Sequence, residues 1–235
     1  MEIVTMKEVS FGYGDAPSLV NLNLAIQQGE FVALTGPNGA SKSTTLKLML
    51  GLLKPWSGSV ALADKLPDGK RLEVGYVPQQ AAAFNSGFPS TVEEFVLSGR
   101  NSRGGWLKRR RPEDFALVEE ALNRVSMWEY RRQRIGELSG GQKQRVCIAR
   151  TLVQEPDWFV LDEPVTGMDR ESRLHFYELL EEQVRIHNRT VLMVTHNLEE
   201  VSEKLDRGIE LTRTEDGGWK CCTTTLCKGH FSQGD

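Results

Sequence analysis

No run of apolar residues in this 235-residue chain approaches the roughly 18 needed to cross a bilayer. The opening MEIVTMKEVS carries acidic residues and no long apolar core, so no secretory signal is expected. Together these absences predict a chain that stays in the cytosol. Any membrane role then requires a separate membrane partner. Net charge is scarce as well. A balance of −3 gives no whole-molecule attraction for nucleic acid or an anionic surface, and no nucleic-acid partner is expected. Cysteines number four: Cys147 stands by itself in a helix-like run, and Cys221, Cys222 and Cys227 crowd the C-terminal end. In a reducing cytosol they do not suggest a disulfide framework. Internal repeats and low-complexity stretches are absent too. What is present is apolar material, 39% of residues beside 26% charged, enough to bury the core of one large domain or a domain with an inserted lobe.

The order of patterns along the chain is informative. IVTMKEVSFGYG and residues 20–26 read as strands, ended by glycines. Residues 31–35 are a short apolar run of the kind found in buried strands. GPNGASKST follows at once, and residues 43–53 then take helical apolar spacing, with Lys54-Pro55 as the expected stop. Strands are expected at 59–63 and 72–77. Residues 83–153 are mainly helical, including 92–97 and 113–125. Strands return at 157–161 and 190–195 around a helix at 170–187. Strand and helix alternating around a helical middle predict an α/β core with a helical insertion.

Three motifs sit at informative places in that order. GPNGASKST, residues 36–44, differs from the phosphate-loop pattern G-x-x-x-x-G-K-[ST] only in having Ser41 before the lysine. In such a loop the backbone N–H groups of Gly36, Asn38, Gly39, Ala40, Ser41 and Thr44 curl around phosphate oxygens at a helix N-terminus. Lys42 reaches the β- and γ-phosphates and the Ser43 hydroxyl meets Mg²⁺. If Ser41 must take a positive φ, the strain is on the order of 1 kcal/mol, and its N–H is kept. Taken alone, the stretch also fits a plain glycine-rich turn. WFVLDEP, residues 158–164, is an apolar strand ending in two acids, where open parallel sheets bind ligands. Asp162 suits Mg²⁺ and Glu163 suits an attacking water; a solvated turn is the plain alternative. LSGGQKQR, residues 138–145, places Ser139 as an N-cap and two glycines before a helical run at 146–153. By itself it also fits an ordinary capped helix.

Together the three motifs, in this order, resemble the nucleotide-binding subunit of ABC transporters, to which LSGGQ is highly specific. The resemblance spans nearly the whole chain, residues 1–235 as one ABC ATPase domain. It implies a RecA-like P-loop NTPase core with an N-terminal antiparallel β subdomain (1–82 and 154–235), an inserted α-helical signature subdomain (83–153) and a Cys-rich tail (212–235). It implies ATP and Mg²⁺, the latter held by Ser43, Gln79 and Asp162. Tyr13 in FGYG matches the residue that stacks on adenine. Gln79 in YVPQ matches the glutamine that meets Mg²⁺ and couples to the membrane subunit. Glu163 and His196 serve the attacking water and the γ-phosphate. Ser139, Gly140, Gly141, Gln142 and Asp169 match residues that act in trans, across an ATP-dependent head-to-tail homodimer.

FNSGFPSTVEEFVLSGR, residues 84–100, resembles the zinc and manganese importer ATPases, in which alanine or serine before the loop lysine also occurs. The reading is an ATP-hydrolysing subunit that energises import of a divalent metal, zinc first, through an integral-membrane permease. An extracytoplasmic metal-binding protein would be an indirect partner. The chain would sit peripherally on the cytoplasmic face of the cell membrane. Manganese, iron-chelate or cobalamin import are the alternatives, followed by a soluble non-transport ABC ATPase. Cys221, Cys222, Cys227 and His230 offer soft ligands for a structural or regulatory Zn²⁺. Their CC-x4-C-x2-H spacing also fits a solvated tail with free thiols. The basic clusters KRRR, residues 108–111, and RRQR, residues 131–134, read as solvated faces or permease and lipid contacts.

Overall fold

Phe31–Thr35 forms strand β3, and its first four residues are fully buried, as an apolar run without a polar interruption requires. The computed structural model describes residues 1–79, 89–103, 111–213 and 218–224. Around β3 the chain forms β1 (Glu2–Tyr13), β2 (Ala16–Gln27), α1 (Lys42–Met49), β4 (Ser57–Leu62), β5 (Val74–Val77), α2 (Val92–Leu97), α3 (Pro112–Arg124) and α4 (Gly140–Leu152). β6 (Trp158–Asp162), α5 (Arg170–Arg185), β7 (Thr190–Val194), α6 (Leu198–Val201), β8 (Arg207–Arg213) and β9 (Trp219–Thr224) complete it. Among the described residues no helix is long and apolar enough to cross a membrane.

The described strands make one sheet in the order β4-β1-β2-β9-β8-β3-β7-β6-β5. From β8 to β5 all neighbours are parallel. From β4 to β2 they are antiparallel. β9 joins the two halves, antiparallel to β8 and parallel to β2. Period-two alternation splits the core across the sheet. Phe31, Ala33, Phe159, Leu161, Val191 and Met193 face the side covered by α2 to α5. Val32, Leu34, Trp158, Val160, Leu192 and Val194 face α1 and the antiparallel strands. Each of the larger of these side chains contributes about 1.5–3 kcal/mol on burial, so the central strands are the rigid base of the molecule.

Three expectations need correction. The first helix ends at Met49, four residues sooner than predicted. Gly51 takes φ +69, and the N–H groups of Gly51 and Leu52 return to the carbonyls of Leu48 and Lys47. That is a Schellman closure, so the glycine stops the helix before Lys54-Pro55 can. The strands β8 and β9 were not anticipated. Residues 219–224, read as part of a Cys-rich tail, are instead an interior strand, with Cys221 opposite Leu211 and Cys222 opposite Glu210.

Candidate functional site

The parallel order β3-β7-β6-β5 brings four strand ends side by side, and their following residues form the site. β3 runs into the loop of residues 36–41, and α1 follows it. Gly36 has φ +143 and lies against β8: a Cβ there would come 3.0 Å from the Leu211 carbonyl oxygen. Gly39 has φ +80. Ser41, the residue that departs from the pattern, has φ 60 and ψ 26, so the left-handed condition that strains a non-glycine residue is met. Its carbonyl accepts the first helical N–H, from Thr45 at 2.8 Å. The Lys42 ammonium curls back over the loop to the carbonyl oxygens of Gly36 and Pro37, at 2.9 and 3.0 Å. Burial holds its pKa below the usual lysine range, against the opposing pull of Glu163 and Asp162. Tyr13 stands at the rim, 59% exposed, with its hydroxyl 3.2 Å from Thr44 Oγ1.

At the end of β6, Asp162 is buried, and burial first, then Glu163, raises its pKa. The neighbouring Ser43 hydroxyl opposes that rise. Asp162 Oδ1 has no hydrogen-bond partner among the described residues. A buried carboxylate oxygen without a donor, beside a hydroxyl, suits a hard cation with oxygen ligands, so these residues fit Mg²⁺.

Glu163 follows with φ 50, a left-handed backbone in a non-glycine residue. Its two carboxylate oxygens are engaged from opposite sides. Gln79 Nε2 donates to Oε2 at 3.0 Å, and His196 Nε2 lies 2.6 Å from Oε1. Gln79 comes from the end of β5 and His196 from the end of β7, so the grip depends on three neighbouring strands. The predicted residues Gln79, Glu163 and His196 are thus one hydrogen-bonded unit. Their direct pairing is a spatial fact that spacing along the chain does not carry.

Arg173 is a further element that the motifs missed. Its guanidinium pairs bidentately with Glu200 at 2.9 and 2.7 Å and donates to the Met168 carbonyl at 3.0 Å. It ties the turn before α5 to α6, just after His196. Arginine at this spacing offers no sequence signal beyond an ordinary helical charge.

The second set of predicted residues lies at two helix starts. Ser139 caps α4 in a reciprocal box with Gln142, at 3.3 and 2.9 Å. Asp169 caps α5 through the Ser172 N–H at 2.9 Å and hydroxyl at 2.7 Å. Gly141 abuts the turn before Asp169: a Cβ there would lie 2.7 Å from the Gly167 carbonyl oxygen. Gly140 has open space instead. No hydrogen bond among the described residues joins residues 139–142 to the loop of Lys42. Of the four candidate zinc ligands, Cys221 and Cys222 are consecutive positions of β9, and Cys227 and His230 lie outside the described residues. The segment FNSGF, residues 84–88, and most of the basic stretch KRRR also lie outside them.

A family model described as ABC transporter matches residues 19–166, more than half of the chain. The high-affinity zinc uptake system ATP-binding protein of Bacillus subtilis (strain 168) is 54% identical, over 98% of this chain and 100% of its own length. The manganese transport system ATP-binding protein of Halalkalibacterium halodurans is 40% identical, over 90% of this chain and 83% of its own. Among solved structures, the dimeric structure of a bacterial ABC transporter cassette is 28% identical with a TM-score of 0.79, covering 95% of this chain and 99% of that one. Sequence, fold and the convergence of loop, acids and histidine at four strand ends agree: the chain belongs to the ABC transporter family, as an ATP-binding subunit.

Proposed function

We propose that this protein is the ATP-hydrolysing subunit of an importer that moves zinc through a separate membrane permease. The observation that carries the hydrolytic part is Glu163, gripped by Gln79 and His196 beside the Lys42 loop. Its two donors fix the carboxylate while each oxygen keeps a further lone pair. A water placed there can give up its proton to Glu163 as it attacks phosphorus. Lys42 leaves its two carbonyl partners and meets the phosphates. The loop N–H groups of residue 36 and residues 38–44 line up on the phosphate oxygens, and Tyr13 stacks on the base. Ser43, Gln79 and Asp162 would hold Mg²⁺, which when bound neutralises phosphate charge. His196 acts on the γ-phosphate side of Glu163.

The site is completed by a second copy. Ser139, Gly140, Gly141, Gln142 and Asp169 of one subunit face the nucleotide of the other, in a head-to-tail pair with a two-fold axis. The exposed, self-capped helix start of α4 suits this role, since its N–H groups are oriented before any partner arrives. ATP closes the pair and hydrolysis opens it, and the permease uses that cycle. The chain would sit peripherally on the cytoplasmic face of the membrane, supplied from outside by a metal-binding protein.

Zinc rests on the gradient of identity, 54% to the zinc relative against 40% to the manganese one. Deleting the gene and titrating metals into depleted medium tests it. Growth restored by zinc supports the proposal, and rescue by manganese alone overturns it.

A further inference from the structure

Tyr13 is the last residue of β1, paired with Ala16 across the turn into β2. The β1–β2 register shifts between Val9 and Phe11 and again between Phe11 and Gly12, so the strand is bulged and more strongly twisted just before Tyr13. A second element packs against this bulged end. Trp56, at the entry to β4, donates its backbone N–H to the Ser10 carbonyl at 2.8 Å. Its ring packs beside the Phe11 ring, 6.2 Å between centroids at 38°. It also closes over the backbone of Gly12, where a Cβ would collide with both the Trp56 ring and the Ala16 carbonyl. Phe11 in turn meets Tyr13 edge to face, 5.1 Å between centroids at 89°. The far end of Tyr13 is tied to Thr44 on α1. Half of the Trp56 surface still faces solvent at the rim where Tyr13 stands.

We propose that Trp56 is a positioning residue for base recognition: through Phe11 and Gly12 it fixes the ring of Tyr13 on which the nucleotide base stacks. Proper stacking needs the ring held at a defined tilt before the base arrives, because ordering it on binding weakens affinity. Trp56 provides that order from outside the phosphate loop. It therefore affects the base end of the nucleotide and not the phosphate end.

This inference rests on the reading of Tyr13 as the adenine-stacking residue, and the experiment separates the two. Calorimetric titration of the purified chain compares Mg²⁺–ATP with Mg²⁺–tripolyphosphate, which has no base. In Trp56→Ala, ATP affinity falls about fivefold, the scale of one aromatic contact, while tripolyphosphate affinity stays at its original value. Trp56→Phe retains most of the ATP affinity. Tyr13→Ala removes the preference for ATP over tripolyphosphate. If Tyr13→Ala keeps that preference, the stacking assignment itself fails. If Tyr13→Ala loses it but Trp56→Ala does not, only the role of Trp56 is overturned. Equal losses for both ligands in Trp56→Ala also overturn it, because the effect then reaches the phosphate loop.

Discussion

The two halves of the candidate site are built on opposite principles. The strand-end half, with Ser41, Lys42, Asp162, Glu163 and His196, stores cost. Two of its residues have left-handed backbones without being glycine, one buried carboxylate oxygen lacks a donor, and one lysine is depressed by burial. The helix-start half, with Ser139 to Gln142 and Asp169, is relaxed. Its α4 cap is reciprocal, its α5 cap is an aspartate accepting twice from Ser172, and these bonds also stabilise the helices. Strained, desolvated groups persist where the surroundings over-determine them, and here the central strands do so. The exposed half can satisfy itself because it must stay ordered before it meets a partner. Substitutions should therefore trade stability against activity in the first half and lose both together in the second.

The largest effect is expected at Glu163. Glu163→Gln keeps the shape and the carbonyl that accepts one donor, but it cannot take a proton. Hydrolysis should fall about 1,000-fold while ATP binding remains, so that gel filtration with ATP shows a trapped dimer. Undiminished turnover in steady-state phosphate release would show that the carboxylate is not the base.

Asp162 sharpens the trade. Asp162→Asn removes a buried charge with an unpartnered oxygen. The melting temperature should rise, by roughly 1 kcal/mol of stability, while Mg²⁺-dependent hydrolysis drops about 100-fold. The pH dependence has a definite sign. With its pKa raised, folded Asp162 binds more protons than the unfolded chain between about pH 4 and its higher folded value. It therefore makes stability fall as pH rises through that window, and Asp162→Asn removes this slope. Urea melts across that range measure it; an unchanged slope would mean that Asp162 is not the group responsible.

Much of this half was legible in the sequence, and the reason is local. Lys42, Asp162, Glu163 and His196 each sit within a few residues of a strand end, so motif and strand appear together in one stretch. Gln79 was legible for the same reason. The grip of Gln79 and His196 on Glu163 was not, because it joins three strands that are 84 and 33 positions apart in pairs. Nor were β8 and β9, whose residues are rich in threonine, cysteine and charge. Their strand character comes from filling the gap between β2 and β3, a tertiary override of weak local preference. The end of α1 was misplaced because Lys54-Pro55 is a louder signal than Gly51, although the glycine acts first. Arg173 and Glu200 lay within unremarkable helical segments and only folding shows them paired.

The relaxed half makes the opposite prediction. Ser139→Ala removes the side-chain oxygen that accepts the Gln142 N–H and opens the capping box. It should cost about 1 kcal/mol of stability, seen in thermal melts, and weaken ATP-dependent dimer formation in the same variant. A stabilised variant would break the contrast between the two halves.

The smallest effect is expected at Ser41, where two terms nearly cancel. The left-handed backbone costs serine about 1 kcal/mol or slightly more, and glycine does not bear that cost. Glycine, however, makes the unfolded chain more disordered, which destabilises the fold by about 0.5–1 kcal/mol. The net for Ser41→Gly is a gain of roughly 0.5 kcal/mol or less, about 1–2 °C in melting temperature for a chain of this size. The N–H that faces phosphate is present in both residues, so ATP affinity should hold or improve slightly. The sign is what matters. A loss of ATP affinity with unchanged stability would mean that the Ser41 hydroxyl itself takes part in binding. The departure from the glycine pattern would then be a functional contact and not a tolerated strain.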